Sequence, residues 1–333
     1  MMRKIALNLS LILLLGALCL SLPSCSQSTV YSEGEGDLNV LCTTFAPFDF
    51  AREVGGNRVT VSILQDSGAD LHNYTPTAAT LEAVSQADVF IYVGGTSDEG
   101  WVHDALAAAG NDSLVTLCLM DYVSPQYAHL ENDWSEHEEI ENDHNHDHEH
   151  DGHDHGADEH IWTSVKNAAL MVDAIRDTLC SVDPDGTTTY SVNAEVYKHK
   201  LNGLDSQLTS IAKDIPMMLF ADRFPFVYLL HDYHIPYKAA FSGCSTETNS
   251  GFEIQVDLIK TVREQSLPCI FVIEGGDKHL SEAISHETGC RVYSLNSMQS
   301  VNRSDIESGA SYITIMQQNI NTLKEACVKA ASP

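Results

Sequence analysis

Between His129 and His160 the chain carries nine of its sixteen histidines, together with thirteen Asp or Glu residues. The densest part is the run His144, His146, His148, His150, His153 and His155, interleaved with acids. Neutral imidazole is a good ligand for zinc, copper and nickel, and neighbouring carboxylates attract any divalent cation. Ligands on a flexible backbone give several weak, exchangeable sites, not one rigid site. The competing reading is a solvated acidic loop with no ligand role. Two further histidines sit in more ordered surroundings. His72 lies in Gly68-Ala69-Asp70-Leu71-His72-Asn73-Tyr74, just past a strand predicted to end near Gln65. His160 lies in Asp158-Glu159-His160-Ile161-Trp162, immediately ahead of a predicted helix. Ligand-binding residues gather where strands of α/β sheets end. Taken singly, each histidine is more often a hydrogen-bonded polar residue than a ligand.

The elements that must position these side chains follow from hydrophobic patterning. Short apolar runs at Leu38–Thr44, Val59–Gln65, Val89–Val93, Leu114–Leu119, Met217–Ala221, Cys269–Ile273 and Arg291–Leu295 read as strands. Several are continuously apolar, as strands buried on both faces are. Helical stretches such as Pro76–Gln86 and Ser164–Cys180 separate them, and this alternation predicts α/β architecture with parallel sheets. Tyr190, Ala194, Tyr197, Leu201, Leu204, Leu208 and Ile211 recur every three or four residues, which keeps one face of a long helix apolar. The fold class is therefore α/β, and a long helix with strand–helix units on either side suggests two parallel-sheet lobes joined by it, although periodicity alone fits equally a helix packed within one lobe. The expected boundaries are 38–184 for the N-terminal lobe, 185–213 for the linking helix and 214–330 for the C-terminal lobe. Residues 129–157, poor in apolar side chains, are expected to be a disordered loop within the first lobe.

The 333 residues carry 18 Lys and Arg against 47 Asp and Glu, a net charge of −29. That balance excludes a nucleic-acid partner, which needs clustered basic side chains. Residues 1–24 form an export signal: Arg3 and Lys4 precede an apolar stretch from Ile5 to Leu22. Leu22-Pro23-Ser24-Cys25 is similar to a bacterial lipobox, which makes Cys25 the expected lipidation site and residues 25–37 a tether; an ordinary cleaved signal is the alternative. Seven cysteines remain beyond Cys25, without a CxxC pair, so neither a disulfide framework nor a zinc ribbon is indicated.

Several motifs occur together and in order: Thr43-Thr44-Phe45-Ala46-Pro47-Phe48, Val54-Gly55-Gly56, Gly68-Ala69-Asp70-x-His72-x-Tyr74-x-Pro76-Thr77, Ala87-Asp88, Tyr92-x-Gly94, the His-rich insert with Asp158-Glu159-His160-Ile161-Trp162, and Asn193-Ala194-x-x-Tyr197. From about Leu38 to Lys329 the chain resembles the zinc/manganese substrate-binding proteins of bacterial ABC importers. The resemblance implies two α/β lobes bridged by a rigid helix, with one metal ion held between them. It puts the first two metal ligands on His72 and His160. The third falls on Ala221, which has no donor, and the fourth on Asn296, whose neutral amide oxygen is a weak zinc ligand. Asp222 and Glu247 are the candidates to complete the site, with Glu247 preferred because it lies in a loop of small residues.

The resemblance further implies a cargo of Zn2+, with Mn2+ as the alternative, and partners in an ABC permease and its ATPase. It implies a monomer, held at the outer face of the cell membrane by its lipid or free in the periplasm. Two other readings stand beside transport: a metal buffer or adhesin without a transport role, and a secreted zinc hydrolase. The hydrolase is disfavoured, because the chain has no HExxH, GxSxG or P-loop motif.

Overall fold

The computed structural model describes residues 30–64, 74–126, 157–242, 251–299 and 301–328. The first lobe runs β1 (Tyr31–Glu33), β2 (Leu38–Cys42), α1 (Phe45–Gly55), β3 (Val59–Ile63), α2 (Ala78–Gln86), β4 (Val89–Tyr92), α3 (Thr96–Glu99), α4 (Val102–Ala109), β5 (Val115–Cys118) and α5 (Val165–Val182). The helix α6 (Thr187–Ala212) follows. The second lobe runs β6 (Met218–Phe224), α7 (Val227–Asp232), β7 (Tyr237–Ser242), α8 (Phe252–Glu264), β8 (Cys269–Ile273), α9 (His279–Thr288), β9 (Arg291–Leu295), α10 (Arg303–Glu307) and α11 (Tyr312–Leu323).

Among the described residues the strands form two sheets, ordered β1-β3-β2-β4-β5 and β7-β6-β8-β9. Leaving β1 aside, both lobes share one doubly wound plan, in which the first strand lies between the second and the third. All pairings are parallel except that of β1 with β3. Tyr31–Glu33 is a correction to the tether expected over 25–37: Tyr31 pairs with Ile63 and Glu33 with Val61, so these residues extend the sheet edge. Three residues of mixed polarity carry too little periodicity to be read as a strand. Likewise β7, whose Tyr-Lys-Ala-Ala-Phe-Ser sequence is weakly apolar, is absent from the predicted strands.

The long helix buries Tyr190, Ala194, Tyr197, Leu201, Leu204, Leu208 and Ile211, the same seven residues that the periodicity selects. At about 1.5 Å per residue it spans about 39 Å. Its N-terminal half holds the first lobe, where Asn193 Nδ2 donates to the Val54 carbonyl (3.0 Å). Its C-terminal half holds the second, through Tyr233 Oη donating to Asp205 (2.9 Å) and Gln207 donating to Gln317 (2.9 Å). One continuous apolar cluster runs from Val40 and Phe50 through Tyr197 to Phe271 and Ile320, so both lobes share this core.

A buried charge pins the same junction. Asp49, fully buried on α1, accepts from Tyr197 Oη on α6 (2.9 Å) and from the Tyr312 backbone N–H on α11 (3.0 Å). Its other oxygen pairs with Arg52 (2.5 Å). Burial pushes the Asp49 carboxyl above its ordinary range, although Arg52 and these two donors oppose the shift.

Candidate metal centre

His160 follows a short irregular segment, 157–159, and opens a single 3-10 turn, Ile161–Thr163, that leads into α5. The turn is closed by Thr163, whose hydroxyl donates to the His160 carbonyl (2.8 Å). Ser164 caps α5 by accepting from Asn167 N–H (2.9 Å), and its own hydroxyl donates to Asp232 of the second lobe. The imidazole is only 1% exposed. One oxygen of Asp158 accepts both the His160 backbone N–H (2.8 Å) and ring Nδ1–H (2.9 Å). With Nδ1 protonated against a carboxylate, the neutral ring carries its lone pair on Nε2. This is the second-partner arrangement that fixes tautomer and direction in metal-binding histidines.

The same segment is stitched to the second lobe. Tyr228 Oη donates to the Asp158 carbonyl (2.7 Å), Trp162 Nε1–H to the Ser297 carbonyl (2.8 Å), and Tyr312 Oη to the Trp162 carbonyl (2.8 Å). His160 and Trp162 meet edge to face with ring centroids 5.4 Å apart. His160 is therefore a first-lobe residue held at the seam between the lobes.

Glu159, beside it, points back into its own lobe and accepts from Ser97 N–H (2.8 Å). Gly95 has φ +86°, and a Cβ there would come within 2.6 Å of the Glu159 side chain, so the position requires glycine. Nearby Asp98 is buried and accepts from Gly94 N–H (2.9 Å). Burial above all, with the Glu159 charge adding to it, raises its carboxyl to about 6 despite the Gly94 bond.

Across the seam, Ala221 packs with Leu219, Leu258 and Ile270 on the outer face of the second sheet. Its neighbour Asp222 is 3% exposed, with one oxygen accepting its own neighbour's N–H, Arg223 (2.8 Å), and the other accepting Ile273 N–H (3.2 Å). It thereby links the end of β6 to the end of β8. Asn296 accepts Met298 N–H (2.8 Å) through its side-chain oxygen, while its backbone exchanges bonds with the Asn319 amide (2.8 Å each). Both carry local backbone structure. His72, Glu247 and the loop residues His144, His146, His148, His150, His153 and His155 lie outside the described residues, as does Cys25. Among the described residues no three His, Cys, Asp or Glu side chains converge. No described helix is long and apolar enough to cross a membrane.

The roles of Asp158, Ser297 and Gln299 were not read from sequence. Asp158 had a signal, an acid two residues before a candidate ligand. Gln299, whose side-chain amide nitrogen contacts His160 Nε2, had none.

Two doubly wound lobes on a shared helix, with a buried, oriented histidine at their seam, define a solute-binding architecture. Residues 40–326 match the family of the periplasmic component A of zinc-uptake complexes, ZnuA, and the chain belongs to that family. The zinc-binding lipoprotein AdcA of Streptococcus pneumoniae is 29% identical over 326 residues, 97% of this chain and 61% of that protein. The chain thus spans about three-fifths of the length of that relative. A putative metal-binding protein of Treponema pallidum is 27% identical over 93% of this chain and 94% of its own. The Zn(II)-bound ZnuA-like domain of S. pneumoniae AdcA superposes with a TM-score of 0.68, 25% identity, and coverage of 88% of this chain and 99% of that one. The Bacillus subtilis lipoprotein YcdH shares the fold at TM-score 0.71 and 21% identity, covering 88% of this chain and all of that one.

Proposed function

We propose that this protein captures one divalent metal ion, zinc before manganese, at the seam between its lobes and delivers it to a membrane permease driven by an ATPase. The observation that carries the reading is His160, buried, with Nδ1 fixed by Asp158 and the Nε2 lone pair turned toward the opposite lobe. The family membership and the zinc-binding relatives support the choice of metal. His72 and Glu247 complete the ligand set in this reading, while Asp222 and Asn296 shape the second-lobe wall. The His-rich segment acts as an auxiliary collector of weakly held ions. Export and lipidation at Cys25 place the protein outside the cytoplasmic membrane, where it works as a carrier and catalyses no reaction.

The test is equilibrium competition against a chromogenic chelator, with zinc and manganese in parallel, on the protein and on a variant lacking Glu131–Ala157. One tight site should survive the deletion and the weak class should vanish. Loss of the tight site with the segment would contradict the reading.

A further inference from the structure

Gln299 reaches His160 from the other lobe, on a turn held by several side-chain hydrogen bonds. Met298, just before it, has φ +64°, a left-handed conformation that side-chain-bearing residues adopt only when held there. Asn296 holds it by accepting Met298 N–H (2.8 Å). Gln299 N–H donates to Ser297 Oγ (3.3 Å), and Ser297 in turn donates its N–H and hydroxyl to the two oxygens of Glu274 (2.7 Å each). Trp162 Nε1–H on the Ser297 carbonyl fastens this turn to the His160 segment. The backbone is thus fixed, and the carboxamide oxygen of the half-buried glutamine lies within hydrogen-bond reach of the Ser297 hydroxyl (3.2 Å), which turns its NH2 toward His160.

The atom it presents is a donor. Since the Asp158 carboxylate accepts the hydrogen bond of Nδ1–H, His160 Nε2 is an acceptor, and the Gln299 carboxamide N–H donates to it. A metal ion needs that same lone pair. We propose that Gln299 is an internal competitor of the metal: its side chain must swing off Nε2 before His160 can coordinate, and swings back as the ion leaves. This rests on His160 being a ligand. The device lowers the apparent affinity by the closed-to-open ratio of the glutamine, a tax on association that leaves the metal–ligand bonds unchanged. A primary amide nitrogen has no lone pair to offer a metal, so in this orientation Gln299 cannot itself be a ligand.

The experiment uses the full chain, zinc ion alone as probe, chelator competition for affinity and stopped-flow mixing for rates. The variants are Gln299→Ala, Gln299→Met, which keeps length and volume, and His160→Ala. A net hydrogen bond to be broken corresponds to roughly three- to tenfold. Gln299→Ala and Gln299→Met should both bind about that much more tightly, with the gain in the association rate and the dissociation rate unchanged. Weaker binding by either folded variant would make Gln299 a ligand through its oxygen and overturn the proposal, as would unchanged binding. If His160→Ala retains the tight site, the ligand assignment of His160 fails and the competitor falls with it. Gln299→Met covers the case in which Gln299→Ala fails to fold.

Discussion

Replacing Asp158 by Asn tests how His160 is prepared. The carboxylate oxygen holds two N–H groups of one residue, at 2.8 and 2.9 Å, in a site from which water is excluded. Bonds to an ionised acceptor are roughly twice as strong as neutral ones, so the substitution forfeits ~1 kcal/mol at each without stranding either donor. An asparagine can also turn its NH2 toward Nδ1, which moves the ring proton onto Nε2 and blocks the metal-binding lone pair. Outer partners of ligand histidines are worth about 10–100-fold in metal affinity, or roughly 1.4–2.8 kcal/mol. Asp158→Asn should therefore weaken zinc at least tenfold in chelator competition, while urea unfolding registers no more than the ~2 kcal/mol forfeited at the two bonds. Asp158→Ala should lose as much affinity and also ~2 kcal/mol or more of stability, because two buried N–H groups lose their acceptor. Zinc binding by Asp158→Asn equal to that of the parent protein, in the same assay where His160→Ala loses the site, would refute the orienting role.

Three other outcomes are expected. Asp49→Ala strands Tyr197 Oη and the Tyr312 N–H in the shared core and should cost ~3–5 kcal/mol by urea unfolding, whereas Asp49→Asn, which keeps an acceptor, should cost less. Asp98 bears a folded-state carboxyl raised to about 6, so its penalty is full above that pH and fades as pH falls toward the ordinary aspartate range. Asp98→Asn should accordingly stabilise the protein by up to ~3 kcal/mol at pH 7.5 and by only ~1 kcal/mol at pH 4.5; a gain that does not change with pH would contradict it. Glu247→Gln should weaken zinc clearly in chelator competition and Asp222→Asn much less, the reverse order pointing to Asp222 as the ligand.

The parts of this fold that were legible in the sequence are those with strong periodicity. The buried face of α6 was read residue by residue, and β8 and β9 begin and end where their apolar runs do. Tyr31–Glu33 and Tyr237–Ser242 escaped because an edge strand needs little apolar content, and pairing with a neighbour decides it. For the site, His160 was visible through its motif, yet its tautomer depends on the distance to Asp158. Asn296 and Asp222 were readable as donors by residue type. What they hold, the Met298 turn and the β6–β8 junction, is set by backbone geometry that residue type does not report. Gln299 meets His160 across 139 positions of sequence, a tertiary juxtaposition with no local trace.

The central claim is that one metal ion sits at the lobe seam on His160 Nε2. Crystals of the protein loaded with one equivalent of zinc, measured on both sides of the zinc absorption edge, test it directly. A single strong anomalous peak is expected about 2.0–2.1 Å from His160 Nε2, with His72 and Glu247 completing its shell and the Gln299 amide displaced. A peak confined to the His-rich segment, with Gln299 still on Nε2, would contradict it.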